Sequence, residues 1–306
     1  MKLSASKHFT SGSLSFQKFG TLLLSQLAKM PDIEVVSEQK KSDVHLCVIS
    51  EKKKPNTINV LRVDGVYYDK KRIQLNKPIR QSIESFDGVI YQSKWAELFC
   101  NRMLRVTPKQ SAVIYNGALQ SKYKKIPKVD PFEKILICSA LWRTNKRLET
   151  IVRAFIEVCD QHKNIGLYVV GEPDFILQHP NIKYFGRIDN NLELLYGQSD
   201  FMCHICHLEA CSNSVVEGLS AGLPILCNNI GGTPEVVGNS GLILDLDIEF
   251  NFRPIKDMQK VGPKSIDSSK VRDGMIKILS MDWDIKRPDL DIKESAKNYY
   301  EFFQKL

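Results

Sequence analysis

The sequence predicts an α/β protein in which parallel sheets are covered by helices on both faces. Short apolar segments rich in β-branched residues alternate with amphipathic segments along most of the chain, which is typical of doubly wound sheets. The composition, 43% hydrophobic and 25% charged, is that of an ordinary globular protein. The length of 306 residues favours two domains over one.

The first half of the chain repeats a strand–helix pattern. Its predicted strands are residues 43–50, 58–64, 88–93 and 111–116, each bounded by polar or turn residues. Residues 15–30 and 93–106 carry apolar side chains at helical spacing and are predicted helices. A further short strand is expected before His8.

The second half restarts the alternation near residue 134. Its predicted strands are KILICSAL, IGLYVVG, NIKYFG, DFMCHIC, LPILCNN and GLILDL. Its predicted helices are KRLETIVRAFIEVCDQH, NLELLYGQ, SNSVVEGLSAG and TPEVVG, then one near 269–280 and a last one from about 291. The lysine- and proline-rich stretch 120–134 lacks periodicity and reads as a linker. We therefore predict domains over 1–125 and 131–285, and a terminal segment over 286–306.

The two halves differ in the sign of their charge. Residues 1–130 hold 23 Lys and Arg against 11 Asp and Glu, net +12, whereas residues 131–306 hold 20 against 24, net −4. A basic first domain suits an anionic partner such as a phosphate-bearing molecule, a membrane surface or nucleic acid. No aromatic RNA-binding motif or helix-turn-helix pattern accompanies it, so nucleic acid is not expected.

Targeting and cysteine patterns point to the cytoplasm. No run of about 18 apolar residues could span a bilayer, and the N-terminus has no continuous apolar region typical of a signal peptide. The eight cysteines lie mostly in apolar runs, which indicates core residues in a reducing compartment. The string CHICH at 203–207 matches a haem-attachment motif, but without an export signal we read it as a buried strand and expect no metal.

Residues 207–241 carry the chemistry. Ser212 or Asn213 can begin a helix whose first amides form an anion site, and Glu217 lies about one turn into that helix. Glu209 precedes the helix with seven residues between the two carboxylates. Gly231 and Gly232 permit close backbone approach, and Thr233 with Pro234 has the sequence of a second helix start. Two anion sites beside two carboxylates fit a nucleoside diphosphate joined to a hydroxylated sugar.

This stretch resembles the retaining glycosyltransferases of family 4. The family's pair of glutamates is matched by Glu209 and Glu217, and its small-residue, Gly, Pro and Gly-Gly-x-Pro-Glu patterns by GLSAGLPIL and GGTPE. Weaker matches to the family's sequence are VIYNG, SALWRTNKRLETIVRAF, VVGE and YFGRIDNNLELLYGQSD. The resemblance implies the GT-B fold, with two Rossmann-like domains facing a central cleft and a terminal helix that crosses back to the first domain.

The resemblance also implies roles for individual residues. It makes Lys146 a diphosphate contact, Glu217 the ribose ligand and Glu209 a donor-sugar or phosphate contact. The family's Arg five residues before the Lys is Leu141 here, so Arg143 is the candidate to supply a guanidinium. The other donor-binding candidates are Gly171, Gly186, Cys211, Ser212, Asn213, Ser214, Gly231, Gly232 and Thr233. The family's Gly-rich acceptor loop is reduced to Ser11, Gly12 and Ser13.

Two residues of the first domain are candidates to orient or deprotonate the acceptor hydroxyl. Asp64 ends a predicted strand, where a carboxylate can orient or deprotonate a hydroxyl, although Asp-Gly is also a common turn pair. His8 follows the first short strand and is a candidate for the same role.

The expected function is metal-independent, retaining transfer of a sugar from a nucleoside diphosphate sugar to an acceptor hydroxyl, with no cofactor. The acceptor is expected to be a glycan, lipid-linked or otherwise anionic, with peripheral membrane contact as an option. One alternative is a GT-B nucleotide-sugar epimerase or hydrolase. The other is an inactive GT-B scaffold that binds anionic surfaces or nucleic acid.

Overall fold

The computed structural model describes residues 1–12, 14–246, 250–256 and 265–306, and Ser13 lies outside them. The chain forms two compact units. The first unit contains Met1–Ala118, Asn251–Lys256 and Asp289–Leu306, and the second contains Leu119–Phe250 and Asp257–Pro288. Both have the parallel α/β architecture that the alternating pattern predicts.

The first unit is built on one parallel sheet. Its strands are β1 (Lys2–Ala5), β2 (Glu34–Val36), β3 (Val44–Val48), β4 (Ile58–Arg62), β5 (Gly88–Tyr91) and β6 (Ser111–Val113). Its helices are α1 (Lys7–Thr10), α2 (Ser15–Leu27), α3 (Asn76–Ser85) and α4 (Lys94–Leu104), with α10 (Ile292–Gln304) from the chain end. The strand order is β2-β1-β3-β4-β5-β6. All five residues of β3 are buried, as expected for a strand covered on both faces.

The last helix belongs to the first unit. Helix α10 packs against α2 and buries Tyr299, Phe302 and Phe303. Gly88 at the start of β5 allows this approach, because a Cβ there would lie 2.9 Å from the Phe302 ring. The aromatic face of the terminal helix is therefore covered by α2 and by the start of β5.

The second unit has its own parallel sheet. Its strands are β7 (Lys134–Ser139), β8 (Ile165–Val170), β9 (Ile182–Tyr184), β10 (Phe201–His204), β11 (Ile225–Asn228) and β12 (Gly241–Leu244). Its helices are α5 (Leu148–Gln161), α6 (Leu192–Gln198), α7 (Asn213–Ser220), α8 (Thr233–Val237) and α9 (Ser268–Leu279). The strand order is β12-β11-β10-β7-β8-β9, so β7 and β10 lie side by side. The chain adds β8 and β9 on one side of β7 and then β10, β11 and β12 on the other side, and the strand order therefore reverses between β7 and β10.

The boundaries between the units differ from the predicted 1–125, 131–285 and 286–306. The first and longest segment of the first unit ends at Ala118, because the residues that follow pack on the second unit. For example, the Ile126 amide donates to the Gly197 carbonyl at 3.1 Å. The segment Asn251–Lys256 returns to the first unit, where Ile255 pairs with the chain near Asp69. Its polar sequence gave no sign of this pairing.

Candidate functional site

The candidate site of the second unit lies at the carboxyl ends of β7, β10 and β11. The loops that follow these strands contain Lys146, Glu209 and the Gly231–Gly232 turn. Because β10 pairs in parallel with both β7 and β11, the three loops leave the sheet at the same edge. This edge is where open α/β sheets bind their ligands.

One carboxylate oxygen joins the first two loops. Glu209 Oε2 accepts a hydrogen bond from Lys146 Nζ at 2.5 Å and lies 2.9 Å from His204 Nε2. The Lys146 and Glu209 side chains are 15% and 25% exposed, and His204, the last residue of β10, is buried. The structure thus brings together the two predicted residues and adds a histidine that sequence analysis had placed only within a buried strand.

Electrostatics keep this cluster in one charge state near neutral pH. Burial acts to raise the pKa of Glu209, but Lys146 and the bond from His204 outweigh it, so the pKa is well below its usual range. Burial lowers the pKa of His204 despite the nearby carboxylate, and its ring is therefore neutral. Burial also acts to lower the pKa of Lys146, but Cys206 and Glu209 outweigh it and raise the pKa. The result is a fixed ammonium–carboxylate pair beside a neutral imidazole.

The loop after β11 supports the backbone of Glu209. Gly231 has φ +90°, and a Cβ there would lie 2.9 Å from the Glu209 carbonyl oxygen, so the close approach requires glycine. The Gly232 amide donates to that same oxygen at 2.7 Å. This amide is therefore engaged within the protein. Gly232 also occupies the N-cap position of α8, so Thr233 is the first helical residue and not the cap that its sequence predicted.

Helix α7 carries the second glutamate. Ser212 is its N-cap residue, and the Ser212 hydroxyl is bonded to that of Ser214 at 2.9 Å. Asn213 begins the helix, and Cys211 is buried just before it. Glu217 lies one turn in, where the buried Tyr196 hydroxyl lies 3.3 Å from both Glu217 Oε2 and the Ser214 carbonyl oxygen and can donate to either. Tyr196, on α6, is a positioning residue that sequence analysis missed.

The loop after β7 contains two arginines in different environments. Arg143 is exposed, as is Leu141, which stands where the family has an arginine. Arg147 is buried with φ +57°, and its guanidinium donates to the Ile205 carbonyl at 3.4 Å. Burial lowers the pKa of Arg147 to about 10. Arg147 therefore braces the loop against the end of β10, and only Arg143 is exposed to solvent. The sequence carried no signal for the left-handed turn that buries Arg147.

The motif CHICH does not form one continuous strand. Strand β10 ends at His204, and the chain then turns so that His204, Cys206 and Glu209 place their ligand-type atoms within 4.8 Å of one another. Lys146 lies in this same cluster, where its ammonium balances Glu209. His207, the last residue of the motif, is buried and faces the Phe250 ring edge-on.

Gly171 and Gly186 lie at the neighbouring strand ends, β8 and β9. The Gly171 amide donates to the Gly186 carbonyl at 2.7 Å. Gly171 has φ +104°, and a Cβ there would lie 1.9 Å from the Ala140 carbonyl oxygen. Both positions therefore shape the backbone beside the loop that carries Lys146.

Replacing Gly171 by alanine is expected to be far more costly than replacing Gly222, a matched control with φ +76° and no atom within 4 Å of a new Cβ. Gly222→Ala should cost about 1–2 kcal/mol from backbone strain alone. Gly171→Ala should cost about 1–3 kcal/mol beyond that, because its methyl group meets rigid backbone. Urea unfolding of both variants measures this, and equal midpoints would contradict the account.

In the first unit, Asp64 belongs to a polar network at the carboxyl ends of β4, β5 and β6. Asp64 Oδ1 accepts from Arg62 Nη1 at 2.6 Å and from Gln92 Nε2 at 2.9 Å. The buried Arg62 also donates to Asn116 Oδ1 at 2.8 Å, and Asn116 donates to Gln92. The Asp64 side chain is 31% exposed, so an oriented carboxylate reaches solvent at this edge.

The other N-terminal candidates are less constrained. His8 is exposed on α1 beside the ring of Phe16. Ser11 and Gly12 are exposed between α1 and α2, and Gly12 lies against the side chain of Gln17. No described contact joins His8 to Asp64.

Part of the second unit matches the model of a known protein family. Residues 133–250 match the family Glycosyl transferases group 1. The resemblance drawn from Glu209, Glu217 and the Gly-Gly turn is confirmed, since this matched segment contains all of them. This segment of the chain is thus similar to the group 1 glycosyltransferases.

Individual relatives agree with this assignment. The chain is 30% identical over 192 residues to N-acetyl-alpha-D-glucosaminyl L-malate synthase of Bacillus anthracis, covering 56% of this chain and 50% of that protein. It is 22% identical over 248 residues to the GPI3 subunit of phosphatidylinositol N-acetylglucosaminyltransferase of Saccharomyces cerevisiae (strain YJM789), covering 72% and 53%. The chain therefore spans about half the length of these curated relatives.

The fold has solved counterparts. The crystal structure of Anabaena HepE in complex with UDP-glucose matches with a TM-score of 0.68 at 14% identity, covering 100% of this chain and 99% of that one. This likeness confirms the predicted GT-B fold. Among the described residues, no helix is both long and apolar enough to cross a membrane.

Proposed function

We propose that this protein is a retaining glycosyltransferase that moves a sugar from a nucleoside diphosphate sugar to an acceptor hydroxyl. The observation that carries the proposal is the Lys146–Glu209 pair at the carboxyl edge of the second sheet, beside the start of α7. It combines a partly buried cation for a diphosphate with a carboxylate for sugar hydroxyls. The names of the relatives, which are glycosyltransferases, support the same reaction class.

In this proposal the donor spans the three loops. The first-turn amides of α7 and the ammonium of Lys146 bind the diphosphate, and exposed Arg143 reaches it from the same loop as Lys146. Glu217, held by Tyr196, accepts hydrogen bonds from the ribose hydroxyls. Glu209, held by His204 and Lys146, contacts the donor sugar. The Anabaena structure solved with UDP-glucose supports a nucleotide sugar as the donor class.

The chemical step needs stabilisation of the leaving group. As the bond between the anomeric carbon and the phosphate oxygen breaks, negative charge builds on the diphosphate. Lys146 and the α7 amides supply the compensating positive potential, so the proposed reaction needs no divalent cation. The acceptor hydroxyl then attacks from the face of the leaving group and passes its proton to the departing phosphate, which gives retention of configuration.

The acceptor side is proposed to lie in the basic first unit. Asp64 is oriented by Arg62 and Gln92 and can bind or orient the incoming hydroxyl. Residues 1–118, the main segment of this unit, hold 19 Lys and Arg against 10 Asp and Glu, and this net charge of +9 favours an anionic acceptor, including a lipid-linked one at a membrane surface. The names of the relatives contain malate and phosphatidylinositol, which are both anionic at neutral pH.

The proposed compartment is the cytoplasm. All eight cysteines are free and buried, which suits a reducing environment in which thiols serve as small core residues.

Calorimetric titration with UDP, GDP and ADP in excess chelator tests the donor site. We expect one of these nucleotides to bind at one site per chain with unchanged affinity when metal is removed, because Lys146 and the helix start supply the positive potential. Binding that vanishes with the chelator would refute metal independence. Binding of none of them, together with salt-sensitive binding of anionic surfaces, would favour the inactive scaffold.

A further inference from the structure

Two separate places in the described part of the chain bring an imidazole, a thiol and a carboxylate within 4.8 Å of one another. One is the His204, Cys206 and Glu209 cluster of the proposed donor site. The other, in the first unit, is made by His45, Cys47 and Glu51, and the proposed function does not use it.

The second cluster is preformed by the backbone. His45 and Cys47 are alternate residues of β3, so their side chains leave the same face of the strand, and both are buried. Ile49 then adopts φ +64°, which is rare for a β-branched residue, and turns the chain so that Glu51 faces Cys47. The Glu51 amide and carbonyl are both bonded to the Ser82 hydroxyl at 3.2 Å. Glu51 is therefore held in place from α3.

The two clusters differ in their charge balance. In the donor cluster, Lys146 Nζ lies 2.5 Å from Glu209 Oε2, so the protein supplies its own cation. In the described residues, no lysine or arginine forms an ion pair with the half-buried Glu51. Lys54 lies near but donates to the hydroxyls of Ser4 and Ser42 and to two backbone carbonyls. Glu51 Oε1 accepts a hydrogen bond from the Val48 amide at 3.5 Å, which is a neutral donor, so a metal ion would supply the positive charge that the protein does not.

The histidine of this cluster is also held by an outer partner. Ser4 Oγ lies 2.8 Å from His45 Nδ1 and 2.7 Å from the Ser42 hydroxyl. With Nδ1 engaged by Ser4, Nε2 is the ring nitrogen left for a ligand bond. An outer hydrogen bond of this kind orients metal-binding histidines in proteins.

We propose that His45, Cys47 and Glu51 bind a zinc ion, with water in the fourth coordination position. Nitrogen, sulfur and oxygen donors together favour Zn²⁺ over Mg²⁺ or Ca²⁺, which prefer oxygen ligands alone. As the zinc–sulfur bond forms, the Cys47 thiol gives its proton to solvent. The ion would tie the turn that contains Ile49 to the end of β3.

Cobalt substitution in the full-length, reduced, metal-free protein tests this site. Co²⁺ should bind at one equivalent and give a thiolate-to-cobalt charge-transfer band, and Zn²⁺ should displace it. Cys47→Ser should abolish the band. The matched controls Cys206→Ser, in the donor cluster, and Cys100→Ser, fully buried on α4 of the same unit, should keep it.

Glu51→Gln keeps the side-chain shape and should weaken Zn²⁺ binding by more than about tenfold, the loss that even an outer partner of a ligand can cause. Circular dichroism verifies that each variant folds, and Glu51→Gln decides the matter if Cys47→Ser does not fold. Unchanged affinity in Glu51→Gln, no band in the parent, or a band lost in Cys206→Ser but kept in Cys47→Ser would each overturn the proposal. These readouts involve no sugar nucleotide, so they are independent of the proposed transferase activity.

Discussion

Replacing Lys146 by methionine is expected to lower the rate of sugar transfer by about 10²–10³-fold, the usual effect of removing one preorganised charge-stabilising donor. Methionine keeps the apolar stem but removes the ammonium that faces Glu209. In the proposed mechanism this ammonium meets the charge that grows on the leaving diphosphate. The effect should therefore be larger on kcat than on donor affinity.

Two further variants sharpen this prediction. Lys146→Arg retains the charge but not the compact ammonium geometry, so partial activity is expected. Lys134→Met removes an exposed lysine at the opposite end of β7 and should behave like the parent. Single-turnover kinetics with a fixed donor separates the chemical step from binding. Equal rates for the parent and Lys146→Met would show that Lys146 has no role at the leaving group.

Replacing the two glutamates should have different consequences. Glu217→Ala should weaken nucleoside diphosphate binding by about 1–3 kcal/mol, because the ribose hydroxyls lose their acceptor. Glu209→Gln should lower kcat by about 10²-fold without weakening nucleoside diphosphate binding, because its proposed contact is with the sugar and the change leaves Lys146 its positive charge. Calorimetry with the nucleoside diphosphate and steady-state kinetics with the full donor measure the two effects separately.

Tyr196→Phe serves as the control for Glu217. It removes only the hydroxyl that lies 3.3 Å from both Glu217 Oε2 and the Ser214 carbonyl oxygen, and it should give a smaller loss of nucleotide affinity in the same direction. If Glu217→Ala and Glu209→Gln both bound and turned over like the parent, the assignment of these carboxylates would be wrong. If only Glu209→Gln lost nucleotide affinity, Glu209 would be the ribose ligand and Glu217 the contact to the sugar.

The elements that sequence analysis predicted best are those with the strongest pattern. Strands such as β7 and β8 are continuously apolar because both of their faces are covered, and helix α5 has a clear apolar stripe. Strand β2, three residues beginning with Glu34, was missed because it is short and largely exposed. The return of Asn251–Lys256 to the first unit was also missed, since it depends on backbone pairing near Asp69.

The candidate site was predictable only in part. Glu209, Glu217 and Lys146 could be named because their spacing matches a family pattern, and the structure brings Lys146 and Glu209 into contact. The parts played by His204 and Arg147 could not, because they arise where β10 ends early and where the chain turns left-handed before α5. Such contacts depend on how loops from different strands meet, and no local pattern encodes them.

The measurement that tests the central claim most directly is NMR analysis of the product formed from an α-configured nucleoside diphosphate sugar. The acceptor panel should pair phosphorylated or lipid-linked molecules with neutral oligosaccharides. We predict release of the nucleoside diphosphate together with an α-linked product, formed faster on the anionic acceptors. A β-linked product would contradict retention, and release of free sugar with every acceptor would identify a hydrolase instead of a transferase.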